Sequence, residues 1–453
     1  MVEELSNATL MRRDLQAVWH PCTQMKDHEQ YPVIPVRRAS GVWLEDYDGG
    51  RYLDAISSWW VNLFGHCNPR ISAAIQRQLQ QLEHVLLAGF THEPVIKLSE
   101  ALLAVAPPGL SRCFYADNGS SAVEVALKMS YHYWRNLGQS KRTRFITLSN
   151  SYHGETLGAL SVGDVPLYKE TYESLLLQAI TVPVPDDYLR PEDLSTRQWV
   201  EACAEQLHRS LESHRGEVCA VIVEPLVQCA GGMRMYDASY LQKLREACDH
   251  YDVHLIFDEI AVGFGRTGSL WACDQAAVAP DIMCLSKGLT GGFLPLAVTL
   301  CREHIYTAFY HDYVTQKAFL HSHSYTGNPL ACAAALETMA IFQDGDVIGA
   351  NRLLADLMAA CALPLADHPH VAQVRQRGMI LAVELVAAKT GRRPYPWQQR
   401  IGVQIYQEAL RRGVLLRPLG NVIYVMPPYV ITEAELRMTL EVMIECINRV
   451  CGD

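Results

Sequence analysis

Lys287 stands between an apolar stretch and a run of glycines, in Leu285-Ser286-Lys287-Gly288-Leu289-Thr290-Gly291-Gly292. A lysine at the edge of a dry pocket gives up its proton more readily than one in water and can act as an amine nucleophile. Taken alone, a lysine at a strand end is more often a solvated surface charge. The glycines after it change the balance, because they let the backbone come close to a bulky ligand.

Asp258 changes it further. It closes the apolar run His254-Leu255-Ile256-Phe257, where a carboxylate is costly unless it has a partner. A protonated ring nitrogen would be one. A lysine that forms a Schiff base, together with an acid facing a pyridinium, marks sites for pyridoxal phosphate (PLP). The plainer alternative for Asp258 is a helix cap or a structural ion pair.

Other residue types add to this chemistry with less weight. Asn118-Gly119-Ser120 opens a helical pattern directly after a strand. The free N–H groups and the Ser120 hydroxyl would make a phosphate cradle, and an ordinary N-cap explains the same residues equally well. Tyr152 follows another strand, in Tyr152-His153-Gly154; its ring could stack on a flat cofactor or simply pack. Gly263-Phe264-Gly265-Arg266-Thr267-Gly268 has the spacing of a dinucleotide fingerprint. It lacks the helix start and the distant acid that fingerprint needs, so it is read as a pocket loop that presents Arg266 to a substrate carboxylate. His321 and His323 lack carboxylate or thiol neighbours in sequence, and no metal is expected there. Trp59-Trp60 could be an aromatic binding wall or core.

Positioning these groups falls to an alternation of strand and helix patterns. Strands are expected at Arg112 to Ala116, Phe145 to Leu148, Val218 to Val223, Val253 to Phe257, Ile282 to Leu285 and Leu296 to Leu300. Helices are expected at Ala122 to Trp134 and around Leu241, Leu244, Ala247 and Cys248. The run Val218 to Val223 is apolar throughout, as a strand buried on both faces should be. Such an alternation predicts an α/β unit with a mostly parallel sheet, in which ligands sit beyond the carboxyl ends of the strands. Asp117 to Ser120, Asp258 and Lys287 all lie at such ends. The two chain ends, with short strands at Ile380 to Leu385 and Val422 to Met426, predict a second, smaller α+β lobe. The expected division is 1–55 and 345–453 for the small lobe and 56–344 for the large one.

Composition sets the outer bounds. The chain has 453 residues, 49% of them hydrophobic, enough for more than one core. A net charge of -10 and only short basic pairs, such as Arg411-Arg412, speak against a nucleic-acid partner. The 14 cysteines lack any C-x-x-C pair and read as buried, reduced thiols of a cytoplasmic protein. The first residues show no basic start followed by an apolar stretch, so no signal peptide is expected. No unbroken apolar run reaches membrane length; the longest, Phe293 to Cys301, stops at Arg302.

Together these segments resemble the class III aminotransferases of PLP fold type I. The family's long motif is matched by Leu255-Ile256-Phe257-Asp258-Glu259-Ile260-Ala261-Val262-Gly263-Phe264-Gly265-Arg266-Thr267-Gly268, followed by Ala279-Pro280-Asp281-Ile282-Met283-Cys284-Leu285-Ser286-Lys287-Gly288. Trp19-His20-Pro21, Ser57-Ser58-Trp59-Trp60, Gly327-Asn328-Pro329 and Ile423-Tyr424-Val425-Met426 are similar to one branch of the class. That branch moves the amino group of S-adenosylmethionine to 8-amino-7-oxononanoate in biotin biosynthesis.

The resemblance implies a ping-pong transaminase in which PLP alternates with pyridoxamine phosphate. It implies that Lys287 carries the cofactor and shuttles the proton, Asp258 holds its pyridine nitrogen, Tyr152 stacks on its ring, and Gly119 and Ser120 bind its phosphate. Ser324 would reach the phosphate in a neighbouring subunit of a homodimer. Trp59, Trp60, Arg266, Arg417 and Tyr424 would hold the substrate, with Arg417 on a carboxylate. Two departures stand out: Cys22 occupies the place of a pocket tyrosine, and Ser324 replaces a threonine while keeping its hydroxyl. The alternatives are a class III enzyme acting on ornithine, 4-aminobutyrate or a diamine, a nicotinamide dehydrogenase built on the Gly263 loop, and a non-catalytic binding protein.

Overall fold

Strand Val218–Val223 is buried along its whole length, as are His254–Asp258 and Ile282–Leu285. A strand apolar on both faces needs cover on both sides, and the sequence supplies it by alternating strands with helices. In the computed structural model, which describes residues 5–452, the chain divides into two compact units. One comprises Pro69–Leu353 with Arg375–Ile380; the other takes Met1–Asn68, Leu354–Val374 and Leu381–Asp453. The first four residues and the last, which begin and end the expected small lobe, lie outside the described residues.

The first unit is built on a seven-stranded sheet in the order Leu110–Ala116, Ala297–Arg302, Ile282–Leu285, His254–Asp258, Val218–Val223, Arg144–Leu148, Ile180–Val182. The strands from Ile282–Leu285 through Ile180–Val182 pair in parallel. Ala297–Arg302 alone runs against both its neighbours. The sheet is thus mostly parallel, as expected, with one reversed strand that the residue pattern of Leu296 to Leu300 did not disclose. Helix Gly119–Asn136 lays Ala122, Val123, Ala126 and Met129 into one cluster with Ala220, Ile222, Ile256 and Cys284 of the sheet. That helix starts three residues before the expected Ala122, because the Asn118 side chain accepts from the Ser121 backbone N–H at 3.1 Å and caps it at Gly119.

The second unit pairs Val36–Ser40, Trp43–Asp46 and Arg51–Asp54 antiparallel and adds Val414–Leu415 in parallel to the last. Strand Val422–Val425 lies antiparallel to Ile380–Ala388. Helix Glu433–Cys451 opens with a capping box made by Thr432 and Glu435, and the Trp43 indole donates to Glu435 at 2.7 Å.

The helical stretch Val347–Ala366 is long and apolar enough to cross a membrane by composition. Asn351, Arg352 and Asp356 interrupt it, so it is not an unbroken apolar run. The stretch is two-sided, with Met358 and Ala362 buried while Leu353 is 72% exposed.

Candidate active site

Five strand ends of the first unit deliver the candidate residues to one edge of the sheet. Leu110–Ala116 runs into Asp117 and the helix start, Arg144–Leu148 into Tyr152 and His153, Val218–Val223 into Glu224, and His254–Asp258 ends on Asp258 itself. Ile282–Leu285 leads through Ser286 to Lys287, and Asp258 stands opposite Cys284 in the parallel register. The parallel sheet therefore brings the amine and the carboxylate to the same edge.

Lys287 takes a left-handed backbone conformation, with φ at 47°. Ser286 secures the turn by donating its hydroxyl to the Leu296 carbonyl at 2.8 Å. Burial of the ammonium lowers the Lys287 pKa; Cys229, Asp258 and Glu224 work against that lowering, and the Arg266 charge adds to it. An amine so placed has more of its neutral, nucleophilic form at physiological pH than a surface lysine.

Asp258 is 5% exposed. Its Oδ2 faces the His153 Nδ1 at 2.8 Å and its Oδ1 accepts the Ile260 backbone N–H at 3.1 Å. The Nε2 of His153 is buried and has no hydrogen-bond partner. Behind this pair lies Glu224, which accepts the backbone N–H groups of Tyr152 at 2.9 Å and Cys229 at 3.1 Å. Burial, aided by the nearby Asp258 charge, raises the Glu224 pKa to about 7 against the pull of His153 and the two N–H donors.

At the start of helix Gly119–Asn136, Gly119 leaves no room for a side chain: a Cβ there would meet Ile260 Cγ2 at 3.0 Å. Gly154, with φ at +121°, passes so close that a Cβ would lie 2.1 Å from the Ser120 hydroxyl. The Ser120 hydroxyl also accepts the Glu155 backbone N–H at 3.3 Å. Tyr152 is partly exposed, with its hydroxyl on Glu155 at 2.9 Å and its ring edge-on to Tyr168.

A separate cluster forms within the second unit. Ser57, Ser58, Trp59 and Trp60 all have positive φ, at 52°, 44°, 71° and 73°. This is a left-handed turn of four residues with side chains, a conformation that costs roughly 1–2 kcal/mol per residue. The Trp60 indole donates to the Tyr424 hydroxyl at 3.0 Å, and the Arg417 guanidinium lies over the Trp59 ring at 4.1 Å from its centroid. Tyr424 and Trp60 are buried, while Trp59 is 38% exposed.

The donor set of the first unit fits PLP: an amine of lowered pKa for the aldehyde, a buried carboxylate for the ring nitrogen, and a glycine-lined helix start with a serine hydroxyl for the phosphate. Residues 24–447 match the family described as aminotransferase class-III. The chain belongs to the class-III aminotransferases.

Its relatives include the adenosylmethionine-8-amino-7-oxononanoate aminotransferases of Helicobacter pylori and Geobacter sulfurreducens. The first is 47% identical, over 96% of this chain and 97% of that one. The second is 42% identical, over 98% of each. Among solved structures, the enzyme of the same description from Methanocaldococcus jannaschii superposes with a TM-score of 0.92 at 37% identity, covering 98% of this chain and 99% of that one. An omega transaminase from Pseudomonas jessenii in complex with PMP superposes at 0.93 with 27% identity, over 98% and 100%.

Within this class-III aminotransferase the remaining candidate residues fall in different surroundings. Arg266 is 1% exposed; its carbonyl accepts the Met379 backbone N–H, and its charge bears on Lys287. Gly268 packs close to Gly378, as a pocket loop without a helix would. Ser324 is exposed in a turn, next to His323, whose Nδ1 lies 3.3 Å from Asp117. His323 thus has a carboxylate neighbour in space that it lacks in sequence, but no group of three or more metal-ligating side chains occurs among the described residues. Cys22 is exposed, in a turn with φ at 53°.

Two groups of the site escaped the sequence reading. His153 was visible only as the middle of Tyr152-His153-Gly154, and Glu224 only as the polar residue that stops a buried strand. The signal for Glu224 was available, since an acid directly after six buried apolar residues needs donors as Asp258 does.

Glu224 carries a pH prediction. Its pKa in the folded protein, about 7, is above the ordinary carboxyl value of 4.5. Below pH 4.5 the group is neutral folded or unfolded and favours neither state. As pH rises towards 7 the unfolded chain ionises first, so folding stability falls, by roughly 3 kcal/mol for this group. Thermal melts of Glu224→Gln should therefore decline less steeply between pH 4.5 and 7 than those of the unaltered protein. Glu259, also raised to about 7 by burial, keeps part of the slope. Parallel slopes would refute the assignment.

Proposed function

We propose that this class-III aminotransferase takes the α-amino group of S-adenosylmethionine and delivers it to the ketone of 8-amino-7-oxononanoate, giving 7,8-diaminononanoate in biotin biosynthesis. What carries the reading is the 47% identity, over 96% of the chain, to a relative named for that reaction. The omega transaminase, though as similar in fold, is 27% identical.

Bound PLP supplies an electron sink for the carbanion that forms when the substrate's Cα–H bond breaks. The chain does the rest. Lys287 would hold the cofactor through its amine, and the same amine would carry the proton removed from the substrate carbon. Asp258, oriented by His153, keeps the ring nitrogen protonated. The N–H groups at Gly119 and Ser120, with the Ser120 hydroxyl, hold the phosphate. Tyr152 offers its ring to the face of the cofactor. Trp59, Trp60, Tyr424 and Arg417 hold the substrates, and Arg266 backs the site. Aromatic surface suits two dissimilar substrates, since it accepts a sulfonium cation and an alkyl chain alike.

The active form is a homodimer in the cytoplasm, with Ser324 serving the phosphate in the neighbouring subunit. Support comes from a run of large apolar side chains that face water in the single chain: Tyr310 is 75%, Tyr313 95%, Val314 85% and Leu320 90% exposed. A sedimentation mass of one 50.7 kDa chain would overturn the dimer.

The test of function is a donor screen on the yellow, PLP-loaded protein. S-adenosylmethionine alone should bleach the lysine-linked absorption within one turnover, and adding 8-amino-7-oxononanoate should restore it with release of diaminononanoate. If glutamate, ornithine, 4-aminobutyrate or a diamine bleaches it while S-adenosylmethionine does not, the substrate assignment fails and the class stands.

A further inference from the structure

The left-handed turn Ser57–Trp60 sets a problem of its own. Single non-glycine residues visit positive φ, but four in succession do so only where the surroundings hold them there. The holders can be identified. Ser57 donates its hydroxyl to the Met426 carbonyl at 2.8 Å, and the Trp60 indole is tied to Tyr424 at 3.0 Å. These bonds fix the two ends of the turn to the strand Val422–Val425 and the residue after it. Ser58, in the middle of the turn, is held from the other side.

That side is Asp54. Its side chain is fully buried, at 0% exposure. It accepts the Ser58 backbone N–H at 2.9 Å and the Ser58 hydroxyl at 2.7 Å. It also meets the His66 Nε2 at 2.9 Å and, more weakly, the Ile56 N–H at 3.4 Å. Asp54 closes its strand directly opposite Leu415 in the parallel register, and the Ala55 N–H donates to the Leu415 carbonyl at 3.3 Å. Two residues beyond Leu415 the chain presents Arg417 over Trp59. A single carboxylate therefore sits where the segment carrying Trp59 and the segment carrying Arg417 meet.

We propose that Asp54 is a positioning residue for substrate binding: it braces the left-handed turn at Ser58 so that Trp59 is presented against Arg417. The inference rests on the reading of Trp59 and Arg417 as substrate-holding residues. Asparagine at this place keeps the size but puts a donor where one acceptor oxygen stood, so either the Ser58 backbone N–H on Oδ1 loses its acceptor or the Ser58 hydroxyl and His66, which share Oδ2, must reverse their bonds.

The test compares Asp54→Asn, Ser58→Ala and the double variant Asp54→Asn/Ser58→Gly in the PLP-loaded enzyme, with kcat, KM and melting temperature measured for each. Asp54→Asn should raise KM for both substrates about tenfold while kcat stays within about threefold, as loss of uniform binding does. Ser58→Ala, at an exposed position that tolerates truncation, should raise KM about threefold. Glycine takes positive φ without a brace, so the double variant should recover most of the lost KM although the carboxylate is still missing.

A fall in melting temperature with unmoved KM, or a glycine that restores nothing, overturns the proposal. Should Asp54→Asn fail to fold, an unmoved KM in Ser58→Ala overturns it alone. Trp59→Ala separates the two levels. If Trp59→Ala leaves KM unmoved for both substrates, the reading of Trp59 fails. If it raises KM while Asp54→Asn does not, only the role of Asp54 fails.

Discussion

Lys287→Ala should give a folded protein that no longer transaminates, with kcat reduced by at least about 10,000-fold. Arg266 and the hydrogen-bonded groups beside Lys287 are poor substitutes for a free amine. Arg266, whose charge reaches Lys287, does not release its proton under ordinary conditions. The His153 Nδ1 is engaged by Asp258, and Glu224 is occupied by two backbone N–H donors. Stability should hold or rise, because the substitution removes an amine whose charged form burial disfavours. The measurements are a single-turnover rate with each substrate, a thermal melt, and the visible spectrum after loading with PLP. The variant should lack the lysine-linked absorption. Activity within a factor of about a hundred of the unaltered protein would remove Lys287 from the mechanism.

Asp258→Asn should cost about 1,000-fold in kcat with little change in KM. In the proposed role it stabilises positive charge on the ring nitrogen, and a neutral amide would not do that. Asparagine can still accept the Ile260 N–H, so the strand end should stay in place. Its amide nitrogen would face the His153 Nδ1, which now sits 2.8 Å from a carboxylate oxygen, and the imidazole must exchange tautomer or turn. The variant's pH–rate profile should therefore change shape as well as height. A uniform loss of less than about tenfold would mean that Asp258 only caps its strand.

Much of the catalytic half was legible from residue types alone. Lys287 and Asp258 follow buried apolar runs and the Asn118–Ser120 turn follows a partly buried strand, and a parallel sheet gathers the ends of its strands whatever the loops between them do. Strand Ile282–Leu285 and strand Val218–Val223 lie where the apolar pattern put them. The reversed strand Ala297–Arg302 was not legible, because direction is set by the connection and not by which side chains are apolar. The geometry of Trp59 and Trp60 was hidden for a different reason. Ser-Ser-Trp-Trp has no glycine to announce positive φ, and the residues that enforce it, Asp54, Tyr424 and Met426, come mostly from the far end of the chain. His153 and Glu224 act on Tyr152 and Asp258, so their function becomes visible only once partners are seen in space.

The reversed strand has a consequence for synthesis. Val218–Val223, His254–Asp258 and Ile282–Leu285 are neighbours in the sheet in the order in which a ribosome delivers them. Leu110–Ala116 leaves the ribosome earlier, but its pairing partners are Ala297 to Arg302. Until that later segment has emerged, the strand that leads to the Asn118–Ser120 turn has no neighbour on its hydrogen-bonding edge. A nascent chain halted before Ala297 carries a strand with open N–H and C=O groups, a template for joining other chains. The first segment of the sheet to be translated is thus among the last to be secured.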